Sequence, residues 1–413
     1  MVTRGESQQA ASRERRPELD AMRMLVVVGL VFFHSALVFA TEGDFYVTNA
    51  ETTEVITVIA GFGVVWAMPL LFLISGLGAW HSLQRRGAGT FAKERLLRLG
   101  VPLLVATVVL NPLPQWLRQR SSGRGHDQSY LDFLPRFFDV HVEWDEFPFL
   151  VQGDHFETGH LWFVVLLLTF SLMLASLHRW LPHRPFRRLA DRVAAVVLRR
   201  RGAVLFPAPV FAAICAFAGM EEDYAGWHRW SYLLFFVAGF ALATDIRFRT
   251  AMRRDARFAS CAGAFLFMAS APGFITADDP FMGSTPLAMV SRALFGAAGW
   301  CLVVGIPGLL DRPHRQQPLR GAFPPAFPPA SPPTPTTRQR VRRYLAAAVL
   351  PLYVLHQPIV VAVAYLVVGW SAPIPVEYVV LVTVSLALTL TAYELLVRRT
   401  RVTRFLFGMR IRS

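Results

Sequence analysis

Ten runs of apolar residues, most of them near 20 in length, constrain what this 413-residue chain can become. A hydrocarbon core about 30 Å thick is crossed by a helix of that length, and a helix satisfies every backbone N–H and C=O within its own segment. The runs fall at 22–40, 55–80, 99–116, 160–181, 203–219, 230–244, 258–275, 286–310, 345–369 and 376–397, the fifth and sixth being short and interrupted by Pro or Gly. With 54% hydrophobic and 17% charged residues, the chain is far from the balance of a soluble domain. The expectation is an all-α integral membrane protein with about ten transmembrane helices. The first 20 residues carry both charge signs, and no A-x-A site follows the first run, so that run is expected to stay as a spanning helix.

A net charge of +14 raises the question of nucleic acid, but the placement of the charge answers it. With the N-terminus placed in the cytoplasm, the inner segments 1–23, 81–98, 178–202, 244–257, 311–343 and 398–413 hold 36 of the 42 basic residues. That is the bias of cytoplasmic loops, so both termini are expected inside and no nucleic-acid partner is implied. Residues 1–21 form an inner tail, 22–397 the transmembrane domain and 398–413 a basic tail. Within the domain, the outer loop 117–159 mixes aromatic and charged residues and is expected either on the membrane surface or folded over the bundle. The inner segment 312–343 contains PPAFPPASPPTP, expected as a mobile linker. Cys215, Cys261 and Cys301 are too far apart in sequence for a metal motif, and the outer histidines His126, His141 and His155 lack ligand spacing, so no metal is expected.

Ionisable groups inside a bilayer are costly and mark function. His34 lies 12 residues into the first run and His356 11 residues into the ninth, and both runs ascend from the inner side. At 1.5 Å per residue, each sits roughly 16–18 Å from the inner edge, near the midplane. The competing reading is a histidine that only packs against a neighbouring helix. Arg23 precedes His34 by 11 residues, which returns to within about 20° of the same helix face, about 16 Å away. A guanidinium at the inner mouth suits a phosphate, and an imidazole suits proton transfer. Asp20 is placed to orient Arg23 across one turn. The GFGVV and SGLG stretches read as close helix packing rather than phosphate binding.

Five segments in order resemble the acyltransferase-three family of bacterial membrane O-acyltransferases. PELDAMRMLVVVGLVFFHS resembles its first-helix signature of an Arg and a His with ten residues between them. MPLLFLISGLGAW is similar to its second helix, and KERLLRLGVPLL to its Arg-x-x-Arg motif. GHLWFVVLLL looks most like the branch that modifies periplasmic glucans, and LPLYVLHQPIVV like its late helix with a buried His. The pattern departs at Ala21, Met22 and Met24, which flank the Arg. The resemblance implies that His34 is the essential histidine and that Arg23, Arg95 and Arg98 handle an acyl-CoA co-substrate from the cytoplasmic side. It also implies a bacterial inner-membrane enzyme. The esterase-like domain of some members is not seen in the sequence, which implies that transfer finishes in the membrane domain or on a partner. His160 is a candidate acceptor contact or an interfacial residue beside Trp162, and His356 a candidate substrate residue. Asn111, Ser75 and Gln357 are weak candidates for oxyanion donors.

The expected activity is transfer of an acyl group, acetyl or another short chain, to a hydroxyl of a cell-surface glycan or other small acceptor, with His34 as general base. The alternative is a transporter or flippase for a glycan intermediate or proton-coupled solute. Against the alternative, no carboxylate is expected near the midplane and no inverted repeat is visible. The oligomeric state and the acyl group are open at this level.

Overall fold

Pro17 at the first helical position and Glu18 and Asp20 in the first turn start α1, Pro17–Leu37, five residues before its apolar run. This computed structural model describes residues 17–41, 45–123, 128–180, 183–311, 336–370 and 372–409. α2, Glu54–Arg95, bends at Gly87, whose φ of +74° favours a residue without a Cβ. It runs through a π turn, Leu96–Gly100, into α3, Val101–Val109, and then α4, Pro112–Ser121. In the outer loop, α5, Tyr130–Phe137, is capped by the Ser129 hydroxyl, which accepts the Asp132 N–H. β1, His141–Val142, pairs antiparallel with β2, Val151–Gln152. There follow α6, Trp162–Trp180, and α7, His183–Arg199. Next come α8, Ala208–Ala218, α9, Arg229–Leu242, α10, Ile246–Thr276, and α11, Pro286–Leu310. α12, Thr337–Val367, α13, Ile374–Ala392, and α14, Arg401–Leu406, complete the chain.

All ten apolar runs are largely helical, although 99–116 is divided among the π turn, α3 and α4, and 203–219 between a short 3-10 turn and α8. Among the described residues, seven helical stretches are long and apolar enough to cross a membrane, and one of them, 54–121, contains two of the expected crossings. α8 and α9, at 11 and 14 residues, fall short of that length. Several segments between or beyond the runs are also partly helical. The inner segment 178–202 contains α7, whose Ala194 and Val197 are buried while Leu189, Val193 and Val196 are exposed. Its apolar residues therefore form two faces of one helix, which a reading for spanning length alone does not detect. α12 begins at Thr337, taking 337–343 out of the expected linker, of which 312–335 lies outside the described residues. The basic tail folds back as α14, and the Arg98 Nε donates to the Gly408 carbonyl at 3.3 Å.

α1 packs against α2, α12 and α13, and α2 also meets α6 and α9. Gly76 and Gly239 let α2 and α9 touch backbone to backbone. A Cβ on Gly76 would stand 1.9 Å from the Phe236 carbonyl oxygen, and one on Gly239 2.0 Å from that of Leu73. SGLG is thus close packing, whereas Gly61 and Gly63 of GFGVV make ordinary contacts at 3.8 and 3.9 Å. Arg292, inside α11 and only 2% exposed, donates to the carbonyls of Cys215, Ala216, Pro280 and Gly283 at 2.7 to 3.1 Å. It closes the last turn of α8 and the loop beyond α10, where orphan carbonyls need donors.

Gly76→Val is expected to separate α2 from α9 and cost about 3 kcal/mol or more. Gly89→Ala, with nothing within 4 Å of its Cβ, serves as the control. Thermal unfolding of the detergent-purified protein should show a fall in the first variant alone.

A candidate active site between a basic inner cluster and three buried histidines

Arg23 and His34 lie on one uninterrupted helix, and the stripe joining them faces inward. Val27 and Leu30, between the two, are 2% and 8% exposed, while Leu25 and Phe32 on the other side are 60% and 42% exposed. At the inner end, Arg23 donates to the Ile74 carbonyl at 3.0 Å and pairs with Asp20 at 3.6 Å, the i,i+3 partner expected from sequence. Arg95 lies over the Phe91 ring at 5.0 Å and within electrostatic reach of Arg98, Arg23 and Arg86. Arg98 pairs with Glu94 at 3.6 Å. No carboxylate among the described residues comes within ion-pair distance of Arg95, so three arginines from two helices and a π turn leave a positive field at this mouth. The neighbouring cleft beside Leu19 and Met22 has a different character, because its guanidinium, Arg249, is bound by Asp311.

At the other end of the stripe three histidines meet. The rings of His34 and His356 are 5.2 Å apart, and those of His160 and His356 are 5.1 Å apart. His356 is fully buried and His160 is 6% exposed, while His34 is half-buried. The matched depth of His34 and His356 is thus ring contact in space. His160 lies inside the bundle, so the aromatic-belt reading of this residue is corrected. The turn Gly159–Leu161 that starts α6 carries it inward. His160 Nε2 donates to the Val354 carbonyl at 3.1 Å, and the Tyr353 hydroxyl donates to the His160 carbonyl. His356 Nδ1 donates to the Tyr353 carbonyl at 2.5 Å, which leaves Nε2 as the acceptor nitrogen. His356 Nε2 and His34 Nδ1 are both buried without a hydrogen bond.

Above the histidines the outer loop folds over the bundle. Phe149 stacks on Tyr224 at 4.8 Å, and Arg229 pairs with Glu221 at 2.7 Å and Glu146 at 3.2 Å. Phe45 stacks on His34 with ring centres 5.8 Å apart, and Tyr46 meets Phe45 edge-on. The Tyr46 hydroxyl donates to Glu157 Oε1. The Asn111 amide donates to the carbonyls of Glu157 and Thr158 at 3.3 and 2.8 Å, which spends its donors and removes it from the oxyanion candidates. Burial under the loop, and then the nearby Asp223, push the Glu157 carboxyl up to about 8. His141 and His155 bond to Glu143 and Gln119, and His126 lies outside the described residues.

Sequence reasoning missed Phe45, Tyr46, Glu157 and Tyr353. Tyr353 was within reach, since it precedes His356 by three residues on one helix face. Phe45, Tyr46 and Glu157 lie outside any periodic element and carry no local signal.

The fold and site are those of a polytopic helical domain with a histidine cluster inside it and a group of arginines toward one end. Residues 16–394 match the family described as "Acyltransferase domain", the acyltransferase-three group, and the chain belongs to that family. Among curated proteins it is similar to glucans biosynthesis protein C of Salmonella gallinarum, Salmonella agona and Salmonella dublin, 24% identical over 194 residues in each case. The match covers 46% of this chain and 45% of those relatives, so the aligned part spans about half the length of each. No solved structure matches. Among its described residues the chain carries seven helical stretches long and apolar enough to cross a membrane.

An acid with a raised folded-state value is protonated in the fold while its unfolded counterpart is ionised. Stability therefore falls as pH rises from about 4.5, through the window that closes near 8. Glu157→Gln removes this titration. Its unfolding temperature should vary less than the parent's between pH 5 and pH 8.5, and parallel curves would refute the assignment.

Proposed function

We propose that this chain transfers a short acyl group from cytoplasmic acyl-CoA to a hydroxyl of an envelope glycan, with His34 as the general base. The observation that carries this reading is the single inward stripe of α1, with Arg23, Arg95 and Arg98 at one end and His34, His356 and His160 at the other. The arginines hold the anionic end of the donor, and the separation of Arg23 from His34, about 16 Å by helix rise, suits the length of its thioester arm. In this arrangement the ten helical segments cross a bacterial inner membrane with both termini inside. The "glucans" in the relatives' name supports a carbohydrate acceptor.

His34 Nε2 takes the proton of the acceptor hydroxyl as its oxygen attacks the thioester carbonyl. The C–S bond then breaks, and the departing sulfur receives the proton from the imidazolium. His34 Nδ1 and His356 Nε2 are complementary unmatched nitrogens on adjoining rings. The structure holds no bond between them; a His34 Nδ1–H to His356 Nε2 bond formed by a small closing of the rings during reaction would make His356 a positioning residue for the His34 Nε2 lone pair. Burial of the three rings keeps competing water away from the thioester. The transporter reading accounts for the buried histidines but not for the acyltransferase family match.

In proteoliposomes supplied with labelled acetyl-CoA, His34→Ala should lower transfer by about 10² to 10⁴-fold. Undiminished transfer by this variant would overturn the mechanism. Arg95→Ala should raise the KM for acetyl-CoA about tenfold with a smaller change in kcat, the pattern of lost donor binding.

A further inference from the structure

The helix between α6 and α8 has three chemically different sides, and one of them is an exposed apolar stripe. At about 100° per residue, Ala190, Ala194 and Val197 of α7 share one side, which packs on α10, and Ala194 and Val197 are buried there. Leu189, Val193 and Val196 share the next side, about a quarter-turn round, and are 43 to 60% exposed. Arg188, Arg192 and Arg199 share the side beyond that and are exposed as well.

The packed side is locked in place. The Arg254 guanidinium of α10 donates to the carbonyls of Val197, Leu198 and Arg200 at 2.6 to 3.1 Å, where the end of a helix leaves acceptors without partners. Asp191 pairs with Arg247, and the Gly202 N–H donates to Asp255 at 3.0 Å. The apolar stripe cannot roll inward without breaking these bonds. Its level is set by short connections. Two residues separate Trp180, the end of α6, from His183, and three separate Arg199 from Ala203, where the 203–219 run begins. With both neighbours crossing the bilayer, each end of α7 stands where a crossing segment leaves the apolar layer. Trp180 and Phe206, on either side of it, are 82% and 72% exposed, as aromatic residues are at the level of lipid headgroups.

We propose that α7 lies along the membrane surface and binds anionic phospholipid, with Leu189, Val193 and Val196 at the acyl-chain boundary and Arg188, Arg192 and Arg199 on the headgroup phosphates. The order of its sides, protein then apolar then basic, is that of a helix seated in an interface. The apolar stripe alone would suit any lipid. Three arginines along its edge favour a negative leaflet, since a guanidinium makes charge-assisted bonds to phosphate. The occupant is a bilayer rather than a soluble protein because Trp180 and Phe206 continue the stripe onto the lipid-facing surface of the crossing helices. The leaflet is the inner one in the orientation proposed above, and the binding does not depend on acyl transfer.

The test uses the full chain in nanodiscs of phosphatidylcholine, with or without phosphatidylglycerol. In a Cys261→Ser background, which removes the exposed native thiol, a nitroxide is placed at Val193→Cys or at Arg188→Cys. The Val193 label should relax with oxygen, which dissolves in lipid, and the Arg188 label more with a water-soluble nickel chelate. Equal access of nickel to both positions would mean that the stripe faces water, and a Val193 label shielded from both reagents would mean that protein covers it; either overturns the proposal. Native mass spectrometry reads the preference for phosphatidylglycerol over phosphatidylcholine. Arg188→Gln and Arg192→Gln, singly and together, should lower that preference about fivefold for each arginine removed. An unchanged preference would refute the headgroup contact, as would displacement of phosphatidylglycerol by inorganic phosphate, the mark of a site for the free ion. If the double variant does not fold, Arg199→Gln gives the same reading alone.

Discussion

Inside a membrane no water is at hand to satisfy a polar side chain, and the buried polar groups here meet that constraint to different degrees. Arg292 meets it completely, with four backbone carbonyls around one guanidinium and no carboxylate among the acceptors. The three histidines meet it only in part. His160 and His356 each give one nitrogen to a carbonyl of α12, while His356 Nε2 and His34 Nδ1 stay unmatched. A buried polar group left unmatched is a destabilising feature of about 1–3 kcal/mol, retained where it has work besides folding. The contrast separates a staple from a site.

The bundle keeps two chemically different ends on one helix. α1 is held by α2, α12 and α13, so its arginine end and its histidine end cannot turn independently. The inner end is cationic and half-open. The middle is closed by Val27 and Leu30, and the outer end is roofed by a loop fastened through Phe149 and Arg229. Under the acyl-transfer proposal, an anionic carrier and the acceptor would approach the imidazole from opposite ends of this helix. The close Gly76–Gly239 contact fixes α2, which supplies Ile74 as the acceptor for Arg23, so packing far from the histidines still sets the position of the inner cluster.

Much of the site was legible because it rides on helical periodicity. Eleven residues separate Arg23 from His34, and a regular helix turns that spacing into a shared face. The matched depths of His34 and His356 in two ascending runs became ring contact. The Asp20–Arg23 pair follows from the same geometry. Asn111, a weak oxyanion candidate from sequence, spends its amide on the Glu157 and Thr158 carbonyls. His160 was open between an acceptor contact and an interfacial residue because the apolar run begins with it, and a turn of three residues carries it inside. The helix of 183–199 went unseen because its apolar residues divide between a buried face and an exposed one, and neither makes a run of spanning length.

By itself, the sequence determined the helices, their expected alternation across a bilayer and the polar residues held within them, because apolar run length, charge bias and the 3.6-residue repeat are local properties. Only the tertiary structure decided that His160 joins His34 and His356, that Arg292 is fully bonded, and that Tyr46 and Glu157 meet above the cluster. Most of those contacts join residues from 76 to more than 300 positions apart, and they depend on how whole helices and one outer loop pack, which no local pattern records.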